Sequence, residues 1–550
     1  MPSDKDEHIK MKCGKRIVLF TLFAMNLVDQ PAPEVTIEQG TLSGKISTDG
    51  SFFEYVGIPY ATTNSSTRFK APLPPPKWKG VYKAVEEMYQ CPQNTPFGVV
   101  GIEDCLKINV YVPSDIKVPL PVMVYIHGGG FILGNGGKMI VGPDLLVKQD
   151  VILVSFNYRL GALGFLCLGI EEAPGNAGLK DQIAALRWVN KNIAAFGGDP
   201  DNVTIFGTSA GGASIALLVA SEVTNGLFKR AIMHSGSSLA SWAINMDPIG
   251  VASNIVSRLG YDTKDPEKLY EIYSELSYKD LLLATANIPL TQLVHNKLLL
   301  LPCVEKNFLG VESVLNDLPY NLITKKPSKN ISLMYSSTDK EGLFFADEET
   351  KDTLEIKDKR SPFEEDLKFK SKKEEKALAL KVKQHYFGKE AVSEKTILKL
   401  SDMYTHLYFE IPIILEIELM LKTSDAPVYS YYFTYSGKRN LVKSSTKFVN
   451  EIGASHGDDL MYIFKGTIWP YRIDNKDQRV IEWITKLLTN FAKYGNPTPN
   501  DSPVRWKPHS KDQLNFLKIG DELEMIGIPN PEAYHLWKSI IEKHRRTKVG

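Results

Sequence analysis

The sequence lacks the features that mark a metal protein, a nucleic-acid binder or a membrane protein. Cysteine is scarce, 5 residues in 550, and no pair has the CxxC spacing of a zinc site or a redox dithiol. Neither sign of charge dominates: Lys plus Arg number 65 against 64 for Asp plus Glu, which removes the electrostatic case for nucleic acid or an anionic membrane as partner. No apolar run reaches the roughly 20 residues that a membrane-spanning helix needs, so no integral membrane segment is expected. A repeat, a low-complexity linker and a break in composition are all absent, and one elaborated domain over residues 31–550 is the simplest organisation despite the length.

The N-terminus reads differently from the rest. Met11 opens MKCGKRIVLFTLFAMNLV, in which Lys12, Lys15 and Arg16 precede a short apolar stretch. That layout predicts a secretory signal within residues 1–30 and an extracellular protein; were the run not a signal, the chain would be cytoplasmic. In a secreted chain the sequons at Asn64, Asn330 and Asn500 become glycosylation candidates, whereas Asn202 directly precedes a strand expected to be buried and is the poorest acceptor. The C-terminal HRRTKVG has no retention tetrapeptide, which favours export.

What the chain does have is apolar material: 43% hydrophobic against 23% charged residues, enough to bury a large core. Runs rich in β-branched residues recur at Val122 to His127, Val151 to Asn157 and Val203 to Gly207, with further candidates from Ile331 and Val428. Their continuous apolar character predicts strands buried on both faces. Between the second and third, Leu179, Ile183, Leu186, Val189, Asn190 and Ile193 have helical spacing, stopped by Gly197 and Gly198. Strand, helix, strand implies a right-handed crossover in a mostly parallel sheet flanked by helices, an α/β fold. A late helix is expected from about Asp477 to Tyr494, and the Lys- and Glu-rich stretch from Ala346 to Gln384 as solvated helices or loop.

Two glycine-rich turns carry the chemistry. VTIFGTSAGGAS places Ser209 in Gly-x-Ser-x-Gly between a strand and a helix, where the small residues Gly207 and Gly211 relieve crowding around a strained turn and the serine projects above the sheet edge. HGGGF at His127 to Phe131 follows directly on another strand. Backbone N–H groups of Gly129, Gly130 and Ala210 could then hold the oxyanion that forms when a serine attacks an ester carbonyl, each donor being worth about 3 kcal/mol of barrier. The GxxxxGK[ST] spacing is absent, since Met139 follows Lys138, so this is not a nucleotide cradle. A serine nucleophile needs a histidine base and a carboxylate to orient it. His8, His509, His535 and His544 lie in polar or terminal stretches and His127 belongs to the glycine-rich turn, which leaves His234, His295, His385, His406 and His456 in contention.

EDCLKINVYVP, NYRLGALGFL, FGGDPDNVTIFGTSAGGAS, HSGS and SHGDDLMYIF resemble the carboxylesterase and cholinesterase family, from about Glu38 to the C-terminal helix. The resemblance implies the α/β-hydrolase fold and hydrolysis of carboxylic esters through an acyl-enzyme, with no cofactor and no metal. It puts the base on His456, the acid on Glu341, a supporting serine on Ser235 and an acyl-pocket wall on Trp242. It also implies a Cys91–Cys105 disulfide, worth about 3 kcal/mol, and an oxidising compartment. Tyr261 stands where a further family cysteine often lies, so Cys167 and Cys303 are expected to be free thiols. The loop between Cys91 and Cys105 has no tryptophan to hold a choline ammonium, and Thr208 stands where cholinesterases have Glu. The segment HGDDLMYIF is most similar to insect carboxylesterases. The expected substrate is therefore a small apolar ester, of the xenobiotic, odorant or hormone kind. The rival expectation is a catalytically silent adhesion or ligand-binding protein of the same fold.

Overall fold

The computed structural model describes residues 31–549 apart from 87–88, 96–97, 287, 296, 326–329, 468–472 and 500–503. The run from Met11 and the sequon at Asn500 lie outside the described residues, as does the side chain of His295.

The β-branched runs form one sheet. In chain order its strands are β1 (Lys45–Ile46), β2 (Phe52–Pro59), β3 (Lys107–Pro113), β4 (Leu120–Ile126), β5 (Ile152–Phe156), β6 (Gly198–Thr208), β7 (Arg230–His234), β8 (Ser332–Thr338), β9 (Val428–Phe433), β10 (Phe516–Ile519) and β11 (Leu523–Ile526). Their spatial order is β11-β10-β9-β8-β7-β6-β4-β5-β3-β2-β1. Pairing is parallel from β5 through β10 and antiparallel at both edges. Strand β4 shows why the central runs have no polar alternation: Val122, Val124 and Ile126 face one apolar core while Met123 and Tyr125 face another, and all are buried.

Helices fill both faces. The ones that position the site are α1 (Ala177–Asn192), α2 (Ala210–Ala220), α3 (Gly342–Asp347), α4 (Lys351–Lys359), α5 (Lys372–Phe387), α6 (Ile397–Tyr404), α7 (Ile411–Thr423) and α8 (Asn475–Tyr494), with a π-helical turn, Thr405–Glu410, joining α6 to α7. Leu179, Ile183, Leu186 and Val189 of α1 are buried as their spacing predicts, but Asn190 is exposed. Helix α1 also buries Asp181, which is tolerable because Arg159 meets it at 2.6 Å. Helix α2 is apolar all round, and it sits beneath the sheet with every residue but its last buried. On the opposite face α8 presents Val480, Ile481, Ile484, Leu488 and Phe491 to the second core, each worth about 1.5–3 kcal/mol in transfer terms. Helices α4 and α5 make up the charged stretch and are largely solvated, although Glu349 before α4 is buried against the Tyr404 hydroxyl at 2.7 Å.

Cys91 and Cys105 are bridged, and so are Cys167 and Cys303. The second bridge corrects the expectation of free thiols. Its partners lie 136 residues apart in sequence, but folding brings their Cα atoms to 6.6 Å, within reach of a disulfide. Gly175 makes room for it: a Cβ there would lie 2.5 Å from the Cys303 sulfur and 2.8 Å from that of Cys167. Asn64 and Asn330 are exposed, whereas the Asn202 side chain accepts a hydrogen bond from Arg230. Among the described residues no helix is long and apolar enough to cross a membrane.

Candidate active site

Several chain segments converge above the carboxyl ends of β4, β6, β7, β8 and β9. The first is the turn from β6 into α2. Ser209 has φ 60° and ψ −125°, a conformation that costs a side-chain-bearing residue about 1–3 kcal/mol. Surrounding contacts fix it: the Ser209 N–H donates to His234 O at 2.8 Å and its carbonyl accepts from the Ala213 N–H at 2.8 Å. The flanking glycines are required by the neighbouring strand, because a Cβ at Gly207 or Gly211 would approach Ile126 O to 2.4 or 2.1 Å. Ala210, the first residue of α2, is buried, so its side chain is excluded from the cavity above.

The second segment is the turn after β4. Gly129 and Gly130 have φ 111° and 60°, and Phe131 follows at 63°. The Phe131 ring is buried against Phe165 at 5.0 Å, anchoring the turn. His127 is committed elsewhere: its Nδ1 lies 2.8 Å from Gly128 O, its ring stacks on Tyr158 at 4.3 Å, and burial lowers its pKa to about 4.

Further segments, after β8 and β9, bring Glu341 and His456 together. Glu341 immediately precedes α3 and is fully buried; one carboxylate oxygen accepts from the Thr338 N–H at 2.8 Å and from Ser235 Oγ at 2.5 Å, and the other lies 2.5 Å from His456 Nδ1. The Gly after Glu341 is sterically dictated, since a Cβ at Gly342 would meet Ser401 O at 2.0 Å. His456 stands on a loop held by Asp458, whose carboxyl accepts from the N–H groups of Ser455 (2.7 Å), Val442 (2.9 Å) and Lys443 (3.3 Å). Burial nevertheless pushes the Asp458 carboxyl up to about 7. Phe409, Phe345 and Phe344 surround the imidazole with ring centres at 4.7, 5.6 and 6.0 Å.

The other histidines in contention are placed elsewhere. His234 is buried beneath the sheet end, its Nδ1 at 2.8 Å from Tyr431 OH, and burial holds its pKa down to about 3. His406 contacts Tyr386 OH at 2.8 Å and is lowered to about 4, again by burial. His385 is exposed on α5.

Ser209, His456, Gly129 and Gly130 line one cavity of about 960 Å³. Ser209, Gly130 and Trp242 line a second, narrower one of about 110 Å³. Trp242 is fixed by donating from Nε1 to Tyr408 O at 2.8 Å. Sequence reasoning did not find the aromatic cage of Phe344, Phe345 and Phe409, nor the supporting role of Asp458. The adjacent acids in SHGDDL were the available signal for the second. No group of three or more His, Cys, Asp or Glu among the described residues could hold a metal ion.

Residues 31–537 match the family described as "Carboxylesterase family". The chain is 33% identical to the bile salt-activated lipase of Rattus norvegicus over 527 residues, covering 87% of this chain and 82% of that protein. It is 32% identical to a carboxylic ester hydrolase of Bombus ignitus (92% and 91% covered) and 31% identical to the juvenile hormone esterase of Tribolium castaneum (89% and 88%). Among solved structures, that of juvenile hormone esterase from Manduca sexta with OTFP covalently attached superposes with a TM-score of 0.83 at 30% identity, covering 92% of this chain and 99% of that one. A structure titled PNB esterase superposes at 0.71 with 29% identity, covering 92% and 99%.

Proposed function

From the premise that this chain belongs to the carboxylesterase family and is a carboxylic ester hydrolase, we propose that Ser209 is its nucleophile, His456 its general base and Glu341 the acid that orients the base. The observation that carries this reading is the 2.5 Å contact of Glu341 with His456 Nδ1, in a molecule where His456 and a strained Ser209 line one cavity.

The Glu341 contact fixes the tautomer with the proton on Nδ1 and leaves Nε2 to accept the Ser209 proton. Oxygen then attacks the ester carbonyl, and the N–H groups of Gly129, Gly130 and Ala210 stabilise the oxyanion. Collapse of the tetrahedral intermediate expels the alcohol, which takes its proton from His456, and leaves the acyl group on Ser209. Water, deprotonated by His456, releases the acid by the same path. Ser235 donates its hydroxyl to the Glu341 carboxylate and so helps to hold it aimed at His456. Trp242 forms part of the acyl wall. The cavity around Ser209 is lined mainly by aliphatic and aromatic side chains, which supports small apolar esters as substrates.

Residues 31–550 act as one catalytic domain in this reading. The two disulfides support folding in an oxidising compartment, hence export, with Asn64 and Asn330 available for glycosylation. Treatment with an organophosphate followed by peptide mass mapping tests the assignment: the adduct is expected on Ser209 in step with loss of esterase activity. Inhibition with Ser209 unmodified would refute it.

A further inference from the structure

The two cavities that meet at Ser209 are unlike. The wide one contains His456; the narrow one does not, and it is walled by Trp242, Leu301, Met403, Leu407 and Phe409. In ester cleavage the departing alcohol must take its proton from the base, so the alcohol half occupies the cavity that holds the base. The acid half is left to the narrow slot. This assignment of halves rests on the reading of Ser209 and His456 given above.

The slot is apolar along its walls but not at its far end. There, Arg360 and Ser361 after α4, both partly open to solvent, and the half-buried Glu364 line it. Trp242 Nε1 donates to Tyr408 O at 2.8 Å, and Tyr408 OH donates to Glu364 Oε1 at 3.0 Å, so the acyl wall and the polar end are one hydrogen-bonded unit. Lys357 reaches the same end but is engaged by Glu349 Oε1 at 3.4 Å and by the Tyr404 ring at 5.5 Å. Burial raises the Glu364 carboxyl above its ordinary range, so this end suits a neutral hydrogen-bonding group better than another carboxylate. An unadorned alkyl terminus would instead lie against the half-buried Glu364 carboxyl with no bond in return.

We propose that the slot selects esters of unbranched acids that carry a hydroxyl at the far end of the chain, with Glu364 and Ser361 as the residues that recognise it, while the wide cavity tolerates a bulky alcohol. The narrowness of the slot beside Trp242 and Phe409 excludes branching next to the carbonyl.

The test is a matrix of 4-nitrophenyl esters whose straight acyl chains run from about four to about twelve carbons, each with and without a terminal hydroxyl, plus a 2-methyl branched set. The purified full chain is assayed beside Glu364→Ala and Glu364→Gln. At one chain length the hydroxyl is expected to raise kcat/KM about tenfold or more, the discrimination typical of a site built to bond a hydroxyl. The ratio of hydroxylated to plain ester should fall to near one in Glu364→Ala and persist in Glu364→Gln, which keeps an acceptor. Wild-type protein showing no gain at any length, or a gain that survives Glu364→Ala, overturns the proposal. Failure of the underlying reading has another signature: no ester in the matrix is turned over, or organophosphate labels a residue other than Ser209.

Discussion

Ser209 carries a side chain where the backbone conformation suits glycine, and that strain separates stability from activity at a single residue. Ser209→Ala keeps the positive φ and loses the oxygen; Ser209→Gly loses the oxygen and relieves the strain. Both variants should be inactive, with turnover reduced by about 10⁶ as for removal of a serine nucleophile elsewhere. Ser209→Gly should unfold at a higher denaturant midpoint than Ser209→Ala, by about 1 kcal/mol, and equal midpoints would show that the turn is relaxed. Glu341 offers the complementary experiment. Glu341→Gln preserves the shape but puts an amide donor or a weak acceptor opposite His456 Nδ1, so kcat should drop by about 10³ to 10⁴ with KM little changed, as measured in single-turnover and steady-state assays.

At the scale of elements, the site depends on how closely strands and helices approach. The 2.1 Å that would separate a Cβ at Gly211 from Ile126 O leaves no room for a side chain between α2 and β4. Gly211→Ala should therefore push α2 away from the sheet and lower both Tm and kcat. A Tm within a degree of wild type would contradict the packing described. The Cys167–Cys303 bridge ties the segment after β5 to the one before β8, across 136 residues. Replacing both cysteines by serine should cost about 2–5 kcal/mol, read as a lowered denaturant midpoint, while the Cys91–Cys105 bridge stays intact in non-reducing peptide maps.

For the molecule as a whole, buried titratable groups set how stability responds to pH, and two sets oppose each other. His127, His234, His406 and His509 are held down to about 4, 3, 4 and 3 by burial, from an ordinary 6.5. The unfolded chain binds protons that the native state refuses, so their contribution is lost as pH falls below 6.5. Glu410, in the π-helical turn beside Phe409, is raised by burial to about 7 from 4.5. Here the native state holds the proton that the unfolded chain releases, so stability falls as pH rises from 4.5 to 7. Glu410→Gln removes the opposing slope. Thermal melts between pH 4.5 and 6.5 should then show a steeper loss on acidification than wild type, and parallel curves would refute the balance.

Local pattern alone determined much of this protein. The apolar runs at Val122, Val151 and Val203 became parallel strands, and the glycines around Ser209 marked its elbow, because β-branched continuity and crowding at a tight turn act over a few neighbouring residues. The charged stretch after Ala346 became solvated helices for the same local reason. Tertiary structure decided what depends on distance through space. His456 was not separable from His234 or His406 by spacing, and what distinguishes it is a buried carboxylate 115 positions away in sequence, at 2.5 Å in the fold. Cys167 and Cys303 gave no local sign of pairing, and the polar part of the narrow cavity's lining is assembled from α4, its following loop and the π-helical turn. Helical and strand periods report which face of an element is buried, but not which element will lie opposite. That choice is made when two cores close on one sheet and bring distant side chains into contact.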